Sequence, residues 1–595
     1  MTVNPSKVAL SWISRFGKAL ESGDVNATVY SLHTDGYFRD ILVFSWDNRC
    51  LHGDANLTAY LTGALDKVSI RGVKLETRGG LTPQYGPLSD KLSLRAVSAG
   101  FTFTCAVGVG RGYFYLISTD SGEWKALVVM MALADIKGHE EIENELGVYG
   151  DHTLAWTNVL QERQRAIESD PHVLIIGAGQ TGLNVAARFK QMGIKTLVVE
   201  ANPRVGDNWR KRYPTLSLQS PKKSNSMLYQ EYPRTWPVFA PRDKLADWLE
   251  QYAQSQDLVV WTDSQPLPHP IYDNFTKQWA VVVDRAGEHV TLHPAHIVVA
   301  STFGAPRIPA LPKQDGFKGP VFHASAYQSG KPFTGKKVVV VGGGNTAADI
   351  CQNLVFHGAQ SITMVQRSST WILSRDSARV MFERVFPEEV DIDISDLIAM
   401  AYPMNLMRKM DEETVEQAME EQKTTQQGLA EAGFKIRAGK DFLTLWYEGS
   451  GGYCKAVRNP PVPVADVWSI ALDVGCSALI SSGKVKIKQG VELAELNTDS
   501  VLFTDGSSLE ADVVIFATSY ENIGDTMRKT LLGDEIMDRV GPVWGLDEEG
   551  ELQGCYRPTG QPGLWFAAGH FYVSRAFSKP LALAIKAIEL GLMEV

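Results

Sequence analysis

The chain has 595 residues, 44% of them hydrophobic and 21% charged, with a formal charge of −10. That length exceeds what one core can organise, so about two to four domains are expected. The mild acidity and the lack of a basic stripe argue against nucleic acid as a partner. The longest apolar runs, such as ALVVMMALA, are about half of what a bilayer span needs, so no membrane segment is expected.

The first residues, MTVNPSKVALSWISRFGKALESG, have too short an apolar stretch for a secretory leader, and a soluble cytoplasmic protein is the expectation. The same residues have helical spacing and should end near Gly23, and GDANLTAYLTGALDKV suggests a second helix. Strand-like runs follow: AGFTFTCAVGVG, GYFYLIST and EWKALVVMMALADI. Helices first and a long sheet afterwards predict an α+β domain over 1–150. A linker helix is expected over 151–171. The front pattern resembles the cone-shaped domain of nuclear-transport-factor-like and scytalone-dehydratase-like proteins. In enzymes of that superfamily such a domain carries His/Asp acid–base pairs, for which His33, Asp35 and Asp40 could serve. Attached to a larger enzyme, it more often serves packing, capping or dimerisation, and a homodimer through it is one expectation.

HVLIIGAGQTGLNVAARFKQMGIKTLVVEANP then reads as strand, turn, helix and strand. Gly177, Gly179 and Gly182 make G-x-G-x-x-G, which lets a pyrophosphate approach the backbone at a helix N-terminus. Glu200 ends the second strand, where its carboxylate suits free ribose hydroxyls and repels a 2′-phosphate. Downstream, GFKGPVFHASAY spaces Phe317, Gly319, His323 and Tyr327 as F-x-G-x-x-x-H-x-x-x-Y. Next, KKVVVVGGGNTAADICQNLVFHGAQSITMVQRSS repeats the dinucleotide grammar with Gly342, Gly344 and Ala347. Here the acid is replaced by Arg367, whose guanidinium suits a 2′-phosphate. One chain with two such folds of opposite preference suits FAD and NADPH, and hydride transfer between them. The fold class is therefore α/β, with two Rossmann-like domains behind the α+β front domain. The expected divisions are 172–330 for the first part of the FAD domain, 331–510 for the NADPH domain with a helical insertion, and 511–595 for the rest of the FAD domain.

From 172 to 590 the chain resembles the flavin-containing monooxygenase family, including the plant YUCCA enzymes. The matching stretches are Gly206-x-x-Trp209 with Tyr213-x-x-Leu216-x-Leu218, the fingerprint 317–327, VVVVGGGNTAADI, DVVIFATSYENI and GLWFAAGH. In DVVIFATSYENI, Ser519 stands where glycine is usual. The resemblance implies that NADPH reduces FAD and that dioxygen adds to the flavin as a C4a-hydroperoxide. One oxygen atom then passes to a small organic substrate, at a heteroatom or carbon, in a secondary-metabolism setting. It also extends the cofactor contacts to Gln180, Thr181, Ala201, Asn208, Trp209, Asn345, Thr346, Asp349, Ser368, Thr518, Gly569 and His570. Lys222, in the stretch where animal-type members place an Asn near the flavin, is the candidate for stabilising the peroxide. His323 is a conformational or cofactor-contact residue, with proton transfer as the second reading.

The alternatives stay open. A Baeyer–Villiger monooxygenase acting on a ketone closes the related fingerprint with Trp, where this chain has Tyr327. A flavoprotein NADPH oxidase or a binding module would not transfer oxygen. The six cysteines, Cys50, Cys105, Cys351, Cys454, Cys476 and Cys555, form no C-x-x-C pair and no metal cluster, which sets a disulfide reductase aside. Walls of a substrate pocket are expected from the 213–227 stretch, the 371–460 region and FYVSRAFSKP. Residues 454–471 read as an insertion or irregular loop, Ala300–Thr302 as an altered hinge, and PLALAIKAIELGLMEV as a short helix with a charged face.

Overall fold

A computed structural model describes residues 3–594 except 89–93, 143, 150, 302–303, 313, 411–419, 421 and 438–468. Most of the 454–471 loop and Thr302 of the altered hinge therefore fall outside the described residues. The first helix, Pro5–Ser22, starts where Asn4 accepts a hydrogen bond from the Lys7 amide and ends at Gly23, whose φ of 71° is left-handed. Its buried face carries Trp12 and Phe16, and the Trp12 ring also meets Phe114 at 4.7 Å.

That face packs on a seven-stranded sheet in the order Asn48–His52, Leu32–Ile41, Trp124–Ile136, Gly108–Ser118, Arg95–Thr104, Arg71–Leu75, with Gln84–Pro87 also paired to Arg95–Thr104. All pairings are antiparallel except that of Leu32–Ile41 with Trp124–Ile136. The acid–base reading of this domain does not hold. Asp35 is exposed, and its carboxylate lies 3.9 Å from the His33 ring. Asp40 is buried apart from them. It accepts from the amides of Val43, Phe44 and Ser45 and from the Tyr60 hydroxyl at 2.6 Å, so it staples the turn after its strand. Burial raises its carboxyl to about 6 against these hydrogen bonds.

Behind the linker helix Trp156–Ser169, two five-stranded parallel sheets follow. The first runs Val259–Trp261, Thr196–Val199, Val173–Ile176, His296–Val299, Leu564–Phe566. The second runs Val321–His323, Val513–Phe516, Lys337–Val341, Ser361–Gln366, Lys486–Gln489. The divisions expected at 330 and 511 cut through this second sheet, because Val321–His323 and Val513–Phe516 both pair within it. A short apolar run announces a buried strand but not the sheet it joins. The chain passes between the two sheets along two antiparallel tethers. The Arg307 amide donates to the Ser519 carbonyl and the Glu521 amide to the Ala305 carbonyl, with a bridge between Pro306 and Tyr520.

The C-terminal helix also differs from expectation. It spans Phe571–Glu589 with Pro580 inside, and it is buried along nearly its whole length. It packs against Gln180–Gln191, where Asn184 Nδ2 donates to Ser574 Oγ at 2.8 Å. Its polar residues pair inward, which sequence spacing alone reads as a charged outer face. Arg575 is its deepest example, forming a double hydrogen bond to Asp396 at 2.6 and 2.7 Å.

The front domain is joined to the rest by Arg–carboxylate pairs. Arg39, with its side chain 7% exposed, binds both oxygens of Glu551 at 2.6 and 2.7 Å and donates to the Met400 carbonyl. Arg49 grips Glu549, and Arg557 grips Asp47 from the other side. Glu141, just past the last front strand, receives Arg188 and Lys579. Burial alone would raise its carboxyl, but these two cations outweigh that and hold it at about 2. One apolar core runs without a break from Trp12 and Phe114 through Met400 and Phe577 to Val173.

Removing one partner of the Arg39–Glu551 pair strands a buried charge. Arg39→Met should therefore cost about 3–5 kcal/mol in calorimetric unfolding, and Arg39→Met with Glu551→Leu should recover most of it. A single-variant loss below about 1 kcal/mol would show that the pair is not integral to the fold. Asp40 gives a separate pH test. Its raised folded pKa makes its stabilising contribution complete below the ordinary aspartate value and lost as pH rises through about 6. Asp40→Asn cannot ionise, so its melting temperature relative to the native chain should climb between about pH 4 and 6.5. A difference that stays constant across that window contradicts the burial effect.

Candidate functional site

The first glycine turn leaves the strand Val173–Ile176 and enters the helix Gln180–Gln191. Gly177 has φ 107°, which disfavours a side chain. A Cβ on Gly182 would stand 1.9 Å from the Gly177 carbonyl oxygen, so helix and turn approach as only glycine permits. Gly179 is the N-cap and makes no side-chain cap, so its turn exposes backbone amides at a positive helix end. The Asn208 amide lies 3.7 Å from where a Gly179 Cβ would be, on the short helix Asp207–Arg210 that also carries Trp209. Thr181 Oγ1 and Trp209 Nε1 are buried with no hydrogen-bond partner in the protein. Glu200 accepts from the Ala178 amide at 2.9 Å and from Asn202 at 2.9 and 2.6 Å, which ties the second strand to the turn. A carboxylate offers about four lone-pair sites, so capacity for ribose hydroxyls remains. Ala201 is exposed just beyond. A bare amide cradle, two unpaired buried donors and an adjacent carboxylate fit an adenine dinucleotide with free ribose hydroxyls.

The second turn repeats this at the strand Lys337–Val341 and the helix Asn345–Phe356. Gly342 has φ 135°, and a Cβ there would meet the Ala517 carbonyl oxygen at 2.4 Å. Gly344 is the N-cap, and Ala347 is fully buried against the strand. Thr346 opens the helix beside Asn345. Asp349, one turn further, accepts from the Tyr213 hydroxyl at 2.6 Å. That bond joins the first domain to the second, and burial raises the Asp349 carboxyl against it. Arg367 stands one residue past Ser361–Gln366, next to half-buried Ser368, and pairs with Glu492 at 3.0 Å. Both partners are largely exposed, so the pair is weak and a phosphate dianion can displace the carboxylate.

The fingerprint 317–327 packs into the second sheet's domain. Phe317 is buried in the second domain. Gly319 has no room for a side chain, since a Cβ would lie 1.9 Å from the Asp512 carbonyl oxygen. His323 Nδ1 accepts from the Ser325 amide at 3.1 Å, which puts the ring proton on Nε2, and Nε2 donates to the Ser519 carbonyl at 3.0 Å. Burial depresses its pKa, so the ring is neutral with both nitrogens engaged. That places it as a clasp and leaves the proton-transfer reading without a free nitrogen. Ser519 has φ 66°, the left-handed backbone that glycine adopts freely. Tyr327 is buried, and its hydroxyl donates to Asn353 at 2.8 Å, on the same helix as Asp349. Thr518 donates to the Arg307 carbonyl across the tethers.

Two cavities adjoin these turns. One, of about 400 Å³, lies between 215–219 and the helix Asn345–Phe356 and is bordered by Asn345, Asp349, Gln352 and Arg375. Arg375 donates to Ser217 Oγ at 2.8 Å across its mouth. The other, of about 160 Å³, is apolar and is lined from all three expected stretches, including Asn225, Met404 and Phe577. His570 lines it too. It follows Gly569, with φ 115°, at the N-cap of the C-terminal helix. Lys222 lines neither cavity. Its amine donates to the Arg234 carbonyl at 2.6 Å, which holds a loop, and the peroxide-stabilising role has no support in that position. Ser220 and Asn225 reach the cavity in its place. Asn225 is bonded to Ser220 through both backbone and side chain, a contact the spacing S-x-x-x-x-N does not announce. Sequence reasoning also missed Arg39 and the turn Leu546–Leu552 as walls of this cavity.

The model of the flavin-binding monooxygenase-like family matches residues 170–433. The indole-3-pyruvate monooxygenase YUCCA1 of Oryza sativa subsp. japonica is 28% identical over 355 residues, covering 59% of this chain and 77% of that protein. The probable indole-3-pyruvate monooxygenase YUCCA4 of Arabidopsis thaliana is 26% identical, covering 60% and 78%. Among solved structures, a flavin-containing monooxygenase from Stenotrophomonas maltophilia aligns with a TM-score of 0.47 at 17% identity, over 70% of this chain and 99% of the other. The front domain lies outside the matched segment, whereas both glycine turns, Glu200, the fingerprint and Arg367 lie within it. Residues 170–433 of this chain are thus similar to the flavin-binding monooxygenase-like family.

Proposed function

We propose that this chain is an FAD- and NADPH-dependent monooxygenase acting on a small organic molecule. The observation that carries the reading is the pair of glycine turns at the carboxyl ends of two parallel sheets. The first is followed by Glu200 and the second by Arg367. Gly177, Gly179, Thr181, Gly182, Asn208, Trp209 and Glu200 would hold FAD. Gly342, Gly344, Asn345 and Thr346 would hold the NADPH pyrophosphate, with Arg367 and Ser368 at the 2′-phosphate. Bound there, NADPH would supply the hydride and FAD the oxygen-activating chemistry by which one atom of dioxygen would enter substrate and the other would leave as water.

The chain's own residues contribute position and dryness. Tyr213–Asp349 joins the two nucleotide domains, while Tyr327–Asn353 and His323–Ser519 brace the second one around that contact. The neutral, doubly engaged His323 offers no labile proton beside them. The apolar cavity at His570 excludes water from the oxygen-transfer side, which suits an oxygen donor that water would discharge. With Tyr327 closing the fingerprint, heteroatom or carbon oxygenation is our reading ahead of Baeyer–Villiger insertion.

NADPH should bleach the flavin within seconds, and re-oxidation in air with substrate should give a product heavier by one oxygen. A screen of sulfides, amines, ketones and indole-3-pyruvate, read by product mass, tests this. Failure of NADPH to bleach the flavin sinks the reading. Hydrogen peroxide as the sole product throughout indicates an oxidase, and ester as the sole product moves the assignment to Baeyer–Villiger chemistry. Arg367→Ala should weaken NADPH at least about tenfold and leave NADH within about twofold, since a charge-assisted phosphate contact is lost. Glu492→Gln removes the competing carboxylate and should tighten NADPH by about two- to fivefold. Equal losses for the two nucleotides on Arg367→Ala would place the 2′-phosphate elsewhere.

A further inference from the structure

We infer that the apolar cavity to which the front domain contributes Arg39 is the substrate site, and that it takes an uncharged, largely apolar molecule and rejects carboxylates. The inference rests on the monooxygenase reading and adds the substrate class. His570, four residues past the carboxyl end of the strand Leu564–Phe566, lines the cavity and ties it to the edge of the first sheet where Gly177 follows Ile176. Open parallel sheets bind ligands at that edge. Its walls include Phe382, Phe386, Leu552 and Phe577, and the thioethers of Met404 and Met407, which adapt to irregular apolar shapes.

The front domain contributes Arg39, the only lysine or arginine among the described residues that line this cavity. Both oxygens of Glu551 are bound by its Nε and Nη2, while Nη1 donates to the Met400 carbonyl. The guanidinium is thus neutralised by a partner already in place. A substrate carboxylate would enter next to Glu551 and, in a cavity of low polarity, meet repulsion that the spent Arg39 cannot offset. Two of the other polar side chains are also engaged locally: Ser220 donates to Asn225, and Ser224 donates to the Pro221 carbonyl. Among the described lining residues Arg39 is thus the one permanent cation, and it is already paired. An apolar ring or chain meets no such cost and buries its surface against the aromatic and thioether walls.

The test measures binding to the flavin-loaded, oxidised protein by calorimetry, with two matched pairs of probes: indole against indole-3-acetate, and thioanisole against (phenylthio)acetate. Each neutral probe should bind at least tenfold more tightly than its acid. Met404→Trp, which fills the cavity, should weaken the neutral probes at least tenfold. Glu551→Gln, which leaves Arg39 uncompensated, should narrow or reverse the preference for the neutral member. Acids binding as tightly as their neutral partners, neutral probes that do not bind, or neutral binding indifferent to Met404→Trp would overturn the inference. Flavin bleaching by NADPH is read separately, without any probe. A chain that bleaches normally but fails these binding tests loses the substrate assignment and keeps the monooxygenase reading, and a chain that never bleaches loses the latter.

Discussion

A guanidinium and a carboxylate far apart in sequence, Arg39 and Glu551, meet in a dry place and hold the molecule's organisation. Burying either alone is costly, and together they are tolerable because the geometry is bidentate and the Met400 carbonyl accepts a further hydrogen bond. Once they meet, the strand Leu32–Ile41 is fixed against the turn Leu546–Leu552. The helix Ile392–Ala401 is held by the same guanidinium. The Arg575–Asp396 pair anchors that helix to the C-terminal one, and Arg575 also donates to the carbonyls of Ser224 and Ser226. The two pairs thus order the stretches that enclose the apolar cavity. Through Arg39 the front domain contributes to the wall of that cavity.

A second set of contacts governs how the two nucleotide domains face each other. The Ser519 carbonyl accepts from both the Arg307 amide and His323 Nε2, so one oxygen serves the tethers and the fingerprint together. Tyr213 and Tyr327 reach the helix Asn345–Phe356 from different stretches, and their rings lie 6.2 Å apart. The cavity beside that helix is bordered by Asp349 and Asn353, to which these hydroxyls donate, and by Arg375. Such an arrangement favours fixed register over acid–base action, as the proposed oxygen transfer would need.

What the sequence discloses follows how local each feature is. The glycine turns are local, because a left-handed φ and a forbidden Cβ act within a few residues, and Gly177, Gly342 and the helix end at Gly23 were readable for that reason. Glu200 and Arg367 were readable because each follows the strand that names its role. Arg39–Glu551 was not, since no pattern links a charged residue to a partner hundreds of positions away. Asp40 looked like chemistry and proved to be a turn staple, because a buried carboxylate with four donors looks the same in sequence as a free one. Lys222 failed for the same reason in reverse. Its neighbours face the cavity, but a loop does not impose the periodicity that would say which side chain follows them. The divisions at 330 and 511 failed because apolar runs carry no address for the sheet they join.

The two antiparallel tethers between the sheets have a mechanical meaning. A domain hung on one strand pivots freely about a point, whereas a domain hung on two strands bonded to each other at Pro306 and Tyr520 has a line about which to turn. Swinging about that line costs a few backbone torsions, while twisting across it would tear the Arg307–Ser519 and Glu521–Ala305 hydrogen bonds. The half built on the second sheet is thereby confined to an arc, as a door on two hinge pins.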